Sequence, residues 1–179
     1  MRKQNKSLKV TLAALFLALA FVIPFLTGQI PEIGAMLCPL HIPVILCGYI
    51  CGGPWGLAVG FIAPLLRSLT LGMPPFFPTA VCMAFELATY GVIAGFMHKK
   101  LPHKKCYIYV SLLTAMIVGR LVWGAAMFVC LGINGGAFTF SAFMAGAILN
   151  AIPGIIVQLI LIPILVMKLD RSSVIDLNE

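Results

Sequence analysis

Six apolar stretches divide this chain, and turn residues or charge separate each from the next. The first runs from about Leu8 to Leu26, and the second, shorter, from about Leu40 to Cys51. Gly52-Gly53-Pro54 breaks the pattern before a third stretch, about Trp55 to Leu71. Gly72-Met73-Pro74-Pro75 precedes the fourth, about Phe76 to Met97, and the basic loop His98 to Lys105 follows it. The fifth covers about Tyr107 to Gly132 and the sixth about Ala142 to Met167, with the Gly-rich loop Ile133 to Ser141 between them. A membrane-spanning helix needs about 20 apolar residues. The pattern therefore predicts an all-α membrane protein of six transmembrane helices, one domain over residues 1–179, its second helix a partial or tilted span. The basic start followed by Leu12 to Phe25 imitates a signal peptide, but no convincing small-residue cleavage pattern follows and more spans do, so the segment reads as a retained first helix.

Composition points the same way. Hydrophobic residues make up 61% of the chain and charged residues 9%, with a mean hydropathy of +1.09. A soluble domain carries roughly 25% charge, so there is too little here to coat a water-facing body. The net charge of +7 does not indicate nucleic acid, because the cations sit at the ends of apolar stretches. Arg2, Lys3, Lys6 and Lys9 open the chain, Lys99, Lys100, Lys104 and Lys105 cluster in one loop, and Lys168 and Arg171 follow the last stretch. Cations of cytoplasmic loops gather in this way. With the N-terminus inside, six crossings put the 52–54 turn, the 98–105 loop and the C-terminus inside too. Loops 27–39, 72–75 and 133–141 then face outward, and they contain no Lys or Arg. Both termini are expected in the cytoplasm.

Charges at membrane depth cost roughly 2.5–3.5 kcal/mol each, and three are kept: Arg67, Glu86 and Arg120. At about 1.5 Å per residue, Arg67 lies roughly 6 Å from the outer end of its stretch, Glu86 and Arg120 roughly 15–18 Å, and Asn150 roughly 12 Å. His41 stands at the outer start of the second stretch. Thr79, Met83, Glu86 and Tyr90 share one helix face, as do Met116, Arg120, Trp123 and Met127. Polar groups in the outer half of five stretches, with Gln158 as the chief inner exception, suggest an outward-facing cavity lined by His41, Arg67, Thr79, Glu86, Tyr90, Arg120, Trp123 and Asn150. Two cations against one carboxylate leave positive charge that an anionic ligand would balance. Each residue also has a plainer reading. Glu86 and Arg120 could pair only with each other, Arg67 could snorkel to the interface, Asn150 could join helices, and His41 could be interfacial.

Other chemistry is poorly supported. Six cysteines occur without CxxC, and Cys47 and Cys51, on one helix face, read as small buried hydrophobes. Neither metal nor disulfide is expected. The chain has no GxxxxGK[ST], HExxH or GxSxG, so no cofactor and no enzymatic activity are expected. Ala14-x-x-x-Ala18, Gly56-x-x-x-Gly60 and Gly91-x-x-x-Gly95 permit close helix approach, and the two glycine pairs read as internal packing.

Taken together, the size, the six spans with both termini inside, the basic loop between spans four and five, and Ala14-x-x-x-Ala18 resemble the substrate-binding S component of an energy-coupling factor (ECF) vitamin transporter. The run Leu40-His41-Ile42-Pro43-Val44, then Cys51-Gly52-Gly53-Pro54-Trp55-Gly56 and Pro64-Leu65-Leu66-Arg67-Ser68-Leu69, is similar to that family's second-to-third helix region. The resemblance implies high-affinity capture of a vitamin or precursor at the outer face of a bacterial cell membrane. It also implies docking through the first helix, by Ala14 and Ala18, on a membrane T subunit driven by two ATPases. Loop 27–39 would be the gate, with Gly72 to Pro78 and Ile133 to Ser141 helping to close the site. Among the family's ligands, two membrane arginines favour a compact carboxylate, pantothenate first, niacin and folate behind.

Three other classes compete. A stand-alone secondary transporter of a small organic anion could couple through Glu86, but the inverted repeats common in such folds are not visible. A membrane enzyme built on Glu86, His41 and Arg120 lacks any nucleophile–base or metal spacing. A purely structural subunit leaves the cost of the three charges unexplained.

Overall fold

The computed structural model describes residues 6–27, 36–102, 105–133, 139–147 and 151–171. Among them there is no strand. Helix α1 (Lys6–Val22) continues into a tight turn at Ile23–Thr27. Then come α2 (His41–Cys51), α3 (Gly53–Leu71), a wide turn at Phe76–Ala80, and α4 (Val81–Lys100). Helices α5 (Lys105–Ile133), α6 (Phe140–Ala147) and α7 (Ile152–Arg171) complete the described chain.

Among the described residues, five helical segments are long and apolar enough to cross a membrane: Lys6–Phe25, Gly53–Leu71, Phe76–Lys100, Cys106–Ile133 and Ile152–Leu169. The expected second span is not among them. Helix α2 has 11 residues, about 16 Å of axis. Every residue of α2 except Ile42 is buried, and it packs against α1, α3, α4 and α7. A helix apolar on all sides belongs inside a bundle, and one sheathed in protein has no need to match the lipid thickness.

The expected sixth span also differs. Residues 142–147 fall in α6, while the long helix starts at Ile152 rather than Ala142. Pro153 explains the restart, since proline lacks the N–H that a helix interior requires but fits a first turn.

Glycines set the closest contacts. Gly52 joins α2 to α3 at φ 96°, ψ 166° and donates its N–H to the Gly48 carbonyl at 3.1 Å; a side chain there would be strained. A methyl on Gly56 or Gly91 would overlap the other's backbone, and one on Gly60 would strike the Leu87 backbone. The glycine pairs therefore do hold α3 against α4, as small residues do in lipid. The same contacts show α3 and α4 to be antiparallel.

One end of the bundle brings together Lys9, Lys99 and Lys100. Lys9 lies near Cys51 at the end of α2, and Gly53 faces Val92 and Phe96 close to Lys99 and Lys100. Near this end the Tyr49 hydroxyl donates to the Ile108 carbonyl at 3.1 Å and lies 2.7 Å from Ser111 Oγ, pinning α2 to α5. Large apolar side chains such as Leu15, Leu19, Ile117, Leu121, Ile156 and Ile160 face outward from the bundle.

Candidate functional site

Glu86 sits on α4 with 1% of its surface exposed. Its Oε1 meets three side chains from three helices. Tyr90, one turn further along α4, donates its hydroxyl at 3.0 Å. Arg120 of α5 places Nη1 at 3.0 Å. His41, the first residue of α2, holds Nε2 at 3.5 Å, longer than a good hydrogen bond. The His41 ring also lies 5.1 Å from the Tyr90 ring, tilted by 56°. Tyr90 reaches this position because Gly119 of α5 offers no side chain against its ring edge.

Arg120 is the most open member, with 16% of its side chain exposed. Its Nη2 donates to Cys38 Sγ at 3.7 Å. A thiol is a weak acceptor, so one face of the guanidinium is held only loosely. The two ring nitrogens of His41 have no hydrogen-bond partner, although the residue is buried. The same holds for Gln158 Oε1 on α7.

The predicted site residues separate into groups. His41, Glu86, Tyr90 and Arg120 come together. Arg67 does not join them, and it is absent from the ion pairs within 4.0 Å among the described residues. Instead it donates from Nη1 to the Phe21 carbonyl at 3.0 Å and lies 5.5 Å from the Phe25 ring centroid. Phe21 is in the last turn of α1, where carbonyls lack helical partners and the dipole favours a cation. Arg67 thus braces α3 to α1.

Thr79 stands in the turn before α4, seven residues or about 10 Å from Glu86. Trp123, one turn beyond Arg120, lies 6.3 Å from the Phe143 ring, inclined by 30°, and its ring fills the space beside Gly146 of α6. Asn150 lies outside the described residues, as do 28–35 of the expected gate and 134–138 of the loop before α6. A hollow of about 370 Å³ opens between α5 and α6, lined by Leu121, Gly124, Ala125, Phe128, Thr139, Phe140 and Phe143. None of the charged residues borders it, so this apolar recess is separate from the polar group around Glu86.

Cys38, the acceptor for Arg120 Nη2, is a member of this region that the sequence alone does not single out. It precedes α2 and carries no period that marks it.

A buried polar group fed by α2, α4 and α5, inside a bundle of membrane-length helices, suits a transporter subunit. The family model for the ECF transporter, substrate-specific component, matches residues 8–166. The chain belongs to this family. No individual curated protein and no solved structure matches it. This S component is thus a substrate-specific subunit of a transporter and a multi-pass membrane protein. Within this group Arg120 Nη2 has only a weak thiol acceptor, and the two ring nitrogens of His41 make no hydrogen bond.

Proposed function

We propose that this S component captures a small vitamin or precursor from outside a bacterial cell, at the group formed by His41, Glu86, Tyr90 and Arg120. The observation that carries the reading is the loosely held face of Arg120, near a His41 ring whose nitrogens make no hydrogen bond and whose Nε2 lies 3.5 Å from Glu86 Oε1. A ligand carboxylate is a far better acceptor for Nη2 than the thiol of Cys38. Glu86 already balances one cation, so a single ligand carboxylate at Arg120 is drawn by hydrogen bonding more than by surplus charge. A compact carboxylate remains the best fit, pantothenate first, niacin and folate behind. Thr79 and Trp123 form the outer rim, and Arg67 holds the end of α1.

The helices cross the membrane six times, with α2 as the inner, lipid-shielded crossing and both termini in the cytoplasm. The clustering of Lys9, Lys99 and Lys100 at one end supports this orientation. Release of cargo depends on docking to a T subunit driven by two ATPases. Ala14 and Ala18 support α1 as the docking helix, since both are exposed on it, one turn apart.

The test is thermal stabilisation of purified protein by riboflavin, folate, thiamine, biotin, cobalamin, niacin, pantothenate and pyridoxine. A ligand at 100 times its Kd adds about 2.7 kcal/mol. One vitamin should give that gain in the wild type and none in Arg120→Ala. A gain of equal size in Arg120→Ala would remove this group from the site.

A further inference from the structure

We infer that Cys82 of α4 and Cys130 of α5 form a thiol–disulfide exchange site, which accepts a small external disulfide and closes into a bond between the two helices. The chemistry does not depend on the receptor reading; only the external source of the disulfide rests on the orientation proposed above.

Register is the first observation. Glu86 meets Arg120 at 3.0 Å, and the Tyr90 ring lies against Gly119, so α4 and α5 pack antiparallel. Each helix is unbroken between these contacts and its cysteine. From Tyr90 to Cys82 the axis of α4 runs about 12 Å, and from Gly119 to Cys130 that of α5 runs about 17 Å in the same direction. Gly119 and Cys130 are about three turns apart, so they share the face turned to α4. Cys82 is one turn from Glu86, on the face turned to α5. Side-chain direction closes the remaining offset of about 5 Å. Each side chain tilts toward the N-terminus of its own helix, so Cys82 leans toward the level of Cys130 and Cys130 leans back toward Cys82. The Cys82 thiol accordingly has the Cys130 thiol as a side-chain neighbour.

Exposure is the second observation. Both thiols are free; Cys82 is fully buried and Cys130 half-buried. Cys130 stands close to the end of α5, where Ile133 is exposed and a methyl on Gly132 would meet nothing within 4 Å. One thiol is therefore reached from outside the bundle and the other only through its neighbour. This division suits a two-step exchange. Cys130, as its thiolate, attacks one sulfur of the incoming disulfide, forms a mixed disulfide and releases the first half as a thiolate. Cys82 then gives up its proton to solvent, attacks Cys130 Sγ and releases the second half. Two protein thiols and one external disulfide become one protein disulfide and two small thiols, and no further oxidant is needed.

The site lies at the end of α4 opposite Lys99 and Lys100. With the basic end in the cytoplasm, it faces outside, where disulfides persist. The bond ties α4 to α5 one turn beyond the Glu86–Arg120 pair.

Oxidised glutathione is the probe. Purified protein is treated with it, the remaining thiols are alkylated, and peptides are mapped by mass without reduction. Cys106, exposed near the start of α5, is the control for simple exchange. The expected product is a Cys82–Cys130 cross-link, two hydrogens lighter than the separate thiols and reversed by dithiothreitol. In Cys82→Ala the cross-link is lost and Cys130 ends as its glutathione adduct. A wild type that stops at that adduct, an unmodified Cys130 beside a modified Cys106, or a bond from Cys82 to another cysteine would each overturn the inference. The same treatment of intact cells reads the orientation separately. A cross-link in purified protein but not in cells would keep the site and refute its outward placement.

Discussion

Glu86 Oε1 is the point on which α2, α4 and α5 converge, and its partners cannot be removed singly without consequence. Loss of either member of a buried ion pair leaves an uncompensated charge and costs about 3–5 kcal/mol. Replacing both by apolar residues of similar volume removes the charge and the need for it. Glu86→Leu alone and Arg120→Leu alone should therefore each lower the melting temperature in detergent strongly. The double variant Glu86→Leu/Arg120→Leu should recover most of the loss while binding no vitamin. Additive destabilisation in the double variant would show that the two do not act as a pair. His41, Glu86, Tyr90 and Arg120 were legible in the sequence because polar groups in lipid are costly enough to notice. Arg67 carried the same signal for a different reason, the end of α1, and nothing in its spacing separates the two roles.

Elements followed the apolar pattern closely, and their departures have local causes. Pro153 restarts the last helix, and burial on all sides lets α2 be short. Contacts between elements were legible only where the residues are small. Gly91 meets the Gly56 backbone with no room for a side chain, whereas Gly132 of α5 meets nothing within 4 Å. Gly91→Leu should destabilise by about 3 kcal/mol or more through overpacking. Gly132→Ala should be neutral or stabilising by up to about 1 kcal/mol through helix propensity. Thermal denaturation of the two variants checks both, and equal melting temperatures would discount the α3–α4 seam.

At the scale of the whole molecule, the proposed capture group and the proposed docking helix face lie on different surfaces. The polar group lies within the bundle, while Ala14 and Ala18 lie on the outer face of α1, flanked by exposed Leu15 and Leu19. Their substitution should not reach the site. Ala14→Leu/Ala18→Leu should abolish vitamin uptake in cells that contain the ATPases and T subunit, yet leave the Kd of the purified protein within about twofold, since distant sites act independently. Loss of binding in that variant would assign the alanines to internal support. The apolar runs and basic ends are legible at this scale in the sequence itself. The enclosure of α2 was not, because a short apolar run reads the same whether lipid or protein surrounds it.

That enclosure bears on how the chain is made. Eleven residues are too few to settle in a bilayer by themselves, and their polar head, His41, meets Glu86 and Tyr90 only once α4 has arrived. A single residue, Gly52, separates this helix from a partner of full length. The two must therefore pass into the membrane folded back on each other, α3 carrying its short companion, and later helices close around a pair already formed.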